Sequence, residues 1–130
     1  MRKVLVVDDD EDLLFIIAEY LSMNGIECDS ATSASQARIR FSACDYDMVI
    51  SDLQMPGETG LELYRFFSCR RPELPFILMS GNVDPWISRE ALKLGVRRFL
   101  QKPFNLSFLK GLLANLEDSK TKAGIEVPTA

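Results

Sequence analysis

Val4 to Gly25 reads Val-Leu-Val-Val-Asp-Asp-Asp-Glu-Asp-Leu-Leu-Phe-Ile-Ile-Ala-Glu-Tyr-Leu-Ser-Met-Asn-Gly, and this stretch decides the fold. Its first four residues are apolar without polar alternation, as expected of a strand buried on both faces of a parallel sheet. Five acids follow at once. Leu14, Ile17, Ala18 and Leu21 then recur at i, i+3, i+4 and i+7, one face of an amphipathic helix. Asn24-Gly25 closes that helix as a C-terminal cap. A buried strand feeding a helix through a short acidic turn is half of a βαβ unit.

The same alternation continues along all 130 residues. Val4–Val7, Ile26–Ala31, Met48–Ser51, Phe76–Met79 and Arg98–Gln101 read as strands. Ala34, Ala37 and Phe41 carry a second helix after Thr32-Ser33, either of which suits the cap position. Leu61, Tyr64 and Phe67 carry a third, after the Met55-Pro56-Gly57 turn and before Pro72 and Pro75. Asp84-Pro85 opens a fourth, with Ile87, Ala91 and Leu94 as its stripe. Phe108, Leu109, Leu112, Leu113 and Leu116 form a fifth. Five βα units in a row predict a doubly wound α/β fold with right-handed crossovers. Residues 118–130 lose the periodicity and read as a flexible tail or the start of a linker.

Composition narrows the function classes. Fifteen Lys and Arg against nineteen Asp and Glu leave a net charge of −4, which argues against direct nucleic-acid binding by this domain. Arg70-Arg71 and Arg97-Arg98 are adjacent arginine pairs and read as solvated surface. There is no His and no CxxC, so zinc is not expected; Cys28, Cys44 and Cys69 suit a reducing compartment. The N-terminal apolar run ends too soon in acids for a signal peptide, and no stretch reaches membrane-spanning length. A soluble, cytoplasmic protein is expected.

In doubly wound sheets, ligands bind outside the carboxyl ends of the strands, where strand order reverses. The first strand ends in Asp8 and Asp9, the third in Asp52 and the fourth in Ser80. Lys102-Pro103 follows the fifth. Asp10, Glu11 and Asp12 read as a solvated charge run favouring a helix N-terminus. Asp8 and Asp9 differ, because they face Asp52. Two carboxylates about 4 Å apart repel by roughly 4 kcal/mol at an effective dielectric near 20. Such a cluster calls for a cation or a retained proton. Oxygen-only donors favour a hard ion, Mg²⁺ or Mn²⁺. Ser80 and Lys102, converging on the same edge, have the chemistry to orient and neutralise phosphoryl oxygens.

Val-Leu-Val-Val-Asp8-Asp9, Val-Ile-Ser-Asp52-Leu-Gln-Met-Pro-Gly, Phe-Ile-Leu-Met-Ser80-Gly and Phe99-Leu-Gln-Lys102-Pro103-Phe together resemble the receiver domains of two-component response regulators. The resemblance covers residues 2 to about 117, placing the domain at 1–117. It implies a flavodoxin-like three-layer sandwich with strand order 2-1-3-4-5. It also implies that Asp52 accepts a phosphoryl group from a sensor histidine kinase or phosphotransfer protein. Asp8, Asp9, Asp52 and the backbone carbonyl of Gln54 are the implied metal ligands. Lys102 is the implied phosphate contact, joined to Pro103 by a cis peptide. Ser80 and Phe99 are the implied switch pair, and the lack of a hydroxyl on Phe99 favours its inward position. Gln54 and Asn82 fall where family members tune phosphoryl lifetime. The fourth helix, fifth strand and fifth helix are the implied homodimer surface.

Trp86 falls off its helix's apolar stripe and reads as partly buried packing, with a partner contact as the other reading. Two rival functions remain open at this point. A haloacid-dehalogenase-type aspartyl phosphatase also carries Asp-x-Asp at its first strand end, which Asp8 and Asp10 imitate. A degenerate receiver would serve only as a docking module, against which the complete set of acids, Ser80 and Lys102 argues.

Overall fold

The computed structural model describes residues 2–81 and 85–118. Five strands alternate with five helices: β1 (Arg2–Val7), α1 (Glu11–Met23), β2 (Ile26–Ala31), α2 (Ala34–Ala43), β3 (Met48–Asp52), α3 (Gly60–Arg70), β4 (Phe76–Ser80), α4 (Pro85–Leu94), β5 (Arg98–Gln101) and α5 (Leu106–Asp118). All neighbouring strands pair in parallel, in the order β2-β1-β3-β4-β5. The expected doubly wound, flavodoxin-like architecture is therefore the one observed.

Side-chain alternation splits the core in two. Val4, Val6, Ile50, Ile77, Met79 and Leu100 face α1 and α5. Leu5, Val7, Val49, Phe76 and Leu78 face α2, α3 and α4. Because successive strand residues point to opposite faces, a run such as Val4–Val7 must be apolar throughout to serve both cores.

Caps set the helix starts. Asp10 caps α1, its carboxylate accepting from the N–H groups of Asp12 and Leu13. Ser33, rather than Thr32, caps α2. Thr59 and Glu62 form a reciprocal capping box at the start of α3. Gly25 and Gly57 hold φ of 77° and 85°, the left-handed turns that the Asn-Gly and Pro-Gly dipeptides announce.

Several side chains depart from the expected pattern. The face of α3 turned to the sheet is Gly60, Leu63 and Phe67, with Leu61 and Tyr64 only half-buried on its flank. The Gly60 N–H donates to the Leu53 carbonyl at 2.7 Å, which fixes the helix's rotation. Ala91 carries the contact of α4, with Ile87 half-buried and Leu94 exposed where the chain turns away at Gly95. Trp86 is 61% exposed rather than partly buried, since it lies about 140° around the helix from Ala91. Arg98 is buried rather than solvated, on the same face of β5 as Leu100. On α5, Leu109 and Leu113 are buried and Phe108 is exposed. The expectations for Asn82, Asp84, residues 119–130 and the side chains of Leu112 and Leu116 lie outside the described residues. Among the described residues, no helix is long and apolar enough to cross a membrane.

Candidate functional site

The chain leaves β1 toward β2 on one side and reaches β3 on the other, so the switch point lies between the carboxyl ends of β1 and β3. Asp8 and Asp52 flank it. Carboxylate oxygens of Asp8, Asp9 and Asp52 lie within 4.8 Å of one another. Asp8 is fully buried, Asp52 is 7% exposed, and Asp9 opens to solvent.

Backbone bonds fix each acid. The Asp8 N–H donates to the Ala31 carbonyl at 3.0 Å, extending the β1–β2 ladder, and its Oδ1 accepts the Asp10 N–H at 2.9 Å. Beyond Asp52, the Leu53 N–H donates to Met79 at 2.7 Å, carrying β3–β4 pairing past the acid. Gln54 sits on the exposed rim just beyond Asp52, where its backbone N–H favours the charged carboxylate.

Lys102 arrives from two strands away. Its N–H donates to the Ser80 carbonyl at 2.8 Å, and the peptide to Pro103 is cis, as the resemblance implied. Its Nζ donates to Asp8 Oδ2 at 2.7 Å and sits 3.4 Å from Asp52 Oδ1. Burial first, and then the Asp8 charge, raise the Asp52 pKa above the ordinary carboxylate range; Lys102 and the Gln54 N–H oppose the rise. Burial pulls the Lys102 ammonium down, but its bond to Asp8 and the charge of Asp52 outweigh this and raise it.

Ser80 ends β4, one residue past Met79, the register partner of Asp52. Phe99 pairs in register with Leu78 and packs half-buried against the core beneath α2–α4. The structure thus brings Asp8, Asp9, Asp52 and Lys102 into one cluster, with Ser80 on the adjoining strand end.

Gly60 is a site residue the sequence reading passed over. A Cβ there would lie 2.3 Å from the Asp52 carbonyl oxygen and 2.9 Å from Leu78 Cδ1. Only glycine lets α3 start this close behind Asp52. The signal was legible: Thr59-Gly60-Leu61-Glu62 matches the capping-box pattern, which fixes where the helix begins.

The chemistry of the donor set fits a hard divalent ion. It is all oxygen, and three carboxylates against one ammonium leave −3 + 1 = −2 when ionised. Asp10 is absent from this group because its carboxylate caps α1, so the Asp8–Asp10 pair an aspartyl phosphatase needs is not assembled.

Comparison with known proteins agrees with this geometry. The chain is 38% identical over 101 residues to the C4-dicarboxylate transport transcriptional regulatory protein DctD of Rhizobium meliloti, covering 78% of this chain and 22% of DctD. It is 34% identical over 102 residues to the transcriptional regulatory protein FixJ of Azorhizobium caulinodans, covering 78% of this chain and 48% of FixJ. The chain therefore spans about a fifth to a half of these relatives. The response regulator TrrA of Thermotoga maritima, solved with Mg²⁺ and BeF, superposes with a TM-score of 0.80 at 29% identity, covering 89% of this chain and 99% of that one. The response regulator receiver domain profile matches residues 4–114, and the phosphatase alternative has no support. Because that match runs from β1 into α5 and takes in every strand end that builds the site, the chain belongs to the response regulator receiver domain family.

Proposed function

We propose that Asp52 accepts a phosphoryl group from the phosphohistidine of a sensor kinase or phosphotransfer protein, or from a small phosphodonor, and that the domain's binding face changes in response. The observation that carries this reading is Lys102 Nζ held 2.7 Å from Asp8 and 3.4 Å from Asp52 at the switch point. A desolvated carboxylate with a raised pKa is a better nucleophile than a hydrated one. An Asp52 oxygen forms the new O–P bond, and the donor's P–N bond breaks with its electrons leaving on imidazole. The product is a mixed anhydride, labile enough to reset. The domain promotes only its own phosphorylation and dephosphorylation.

Asp8, Asp9 and Asp52 would hold Mg²⁺ or Mn²⁺, with the Gln54 carbonyl as a further ligand. When bound, the ion offsets charge on the phosphoryl oxygens. Lys102 supplies a positive group of the chain's own beside Asp8 and Asp52. Ser80 and Phe99 form the responding pair, the hydroxyl bonding the new phosphoryl oxygens and the ring settling deeper as it moves. Residues 1–117 are the working unit, with 118–130 as a tail or the start of a linker, and the setting is cytoplasmic. A homodimer through α4, β5 and α5 is the assembly that goes with it. A docking-only receiver would have no need of this acid–lysine arrangement.

Intact mass after incubation with acetyl phosphate and Mg²⁺ tests the reading. Wild type should gain one phosphoryl group, and neither Asp52→Asn nor chelated wild type should gain any. Undiminished labelling of Asp52→Asn would refute it.

A further inference from the structure

The segment between β3 and α3 carries Gln54 and is closed at its base by the Gly60 N–H bond to Leu53. Met55 is buried under it, and Gly57 turns it through a left-handed conformation. Its outer limb is tied elsewhere. Glu58 pairs with Arg38 on α2, twenty residues earlier in the chain. The Arg38 guanidinium also lies 5.1 Å from the centroid of the Phe66 ring, which Arg70 covers at 3.7 Å. Phe66 itself packs edge-on against Phe41 and Phe67. Both partners of the ion pair are partly buried, so screening is weaker than for exposed pairs.

Arg38 is therefore held by an aromatic anchor on one side and holds the loop's carboxylate on the other. Glu58 is not among the converging acids of the site. We infer that Arg38 is a positioning residue: through Glu58 it clamps the β3–α3 loop, so that the Gln54 peptide is already placed for the divalent ion that Asp8, Asp9 and Asp52 receive. The inference rests on the proposed metal site and extends it to α2. Ordering cost is met before the ion arrives, which strengthens binding without any contact between Arg38 and the ion.

The test is Mg²⁺ titration calorimetry on the full chain, comparing wild type with Arg38→Met, Glu58→Gln and the exchanged pair Arg38→Glu with Glu58→Arg. Arg38→Met keeps an apolar stem against Phe66. A clamp predicts that both single variants bind Mg²⁺ about tenfold more weakly, at the mild end for groups that hold a ligand in place. The exchanged pair should recover most of the loss. Amide hydrogen exchange over residues 54–59 should quicken in both single variants and slow again in the exchange.

Charge alone predicts otherwise, since losing Arg38 would tighten binding of a cation and losing Glu58 would loosen it. Opposite shifts in the two variants, or unchanged affinity with only a lowered Tm, would overturn the clamp and leave the site intact. Failure of wild type to bind Mg²⁺ would overturn both.

Discussion

Asp52 is held in a balance of opposing influences. Burial and Asp8 disfavour its charge, while Lys102 and the Gln54 N–H favour it, and the net effect is a raised pKa. A carboxyl whose folded pKa lies above its unfolded one adds stability below the unfolded pKa and loses it as pH rises through the folded one. Ionised Asp52 thus works against folding at neutral pH. In chelator, Asp52→Asn should be more stable than wild type near pH 7, read as a higher Tm. Thermal melts should show the gap closing as pH falls below the ordinary Asp value of about 3.9, where Asp52 becomes protonated in the folded and the unfolded chain alike. Asp8 lies buried against Lys102 and depends on that ammonium for its partner. Lys102→Met should therefore cost about 3 kcal/mol in urea denaturation, because it leaves a buried carboxylate unpaired.

At the scale of elements, the helix starts govern the site's precision. α3 begins against the Asp52 carbonyl because position 60 has no side chain. Gly60→Ala should destabilise the fold by about 2–3 kcal/mol, since the nearest obstacle is backbone and cannot swing aside. Urea melts would measure the loss, and phosphorylation should slow with it. The strands and their acid ends were legible in sequence, because parallel strands bring every carboxyl terminus to one edge and β-branched runs mark the strands. The helical stripe of α3 was misplaced by one position on the wheel. Its rotation is set by a backbone bond from Gly60 to Leu53, which hydrophobic periodicity does not encode. Likewise Arg98 carries a charge that a composition reading sends outward, yet its place on the Leu100 face of β5 buries it. The Arg38–Glu58 pair joins two elements twenty residues apart, and nothing local announces it.

Over the whole molecule, two cores share one sheet, and the site sits on the edge where both end. Strands cannot loosen on one face without disturbing the other, so the domain should unfold as a single cooperative unit. Mg²⁺ that binds only the folded form should raise stability by about 2.7 kcal/mol at a hundred times its dissociation constant. Calorimetric scans should show one transition moving upward with Mg²⁺, and no such movement at pH values low enough to protonate the acids. The same edge gathers the site: its acids come from the ends of β1 and β3, Lys102 reaches in from beyond β5, and Ser80 ends β4. Asp52 as the acceptor is the claim on which the rest depends. Borohydride reduction of the protein labelled with acetyl phosphate and Mg²⁺, followed by peptide mass mapping, addresses it directly, because an aspartyl phosphate is reduced to homoserine. Homoserine at position 52 alone is the expected result; homoserine at position 8 or 9 with position 52 unmodified would contradict it.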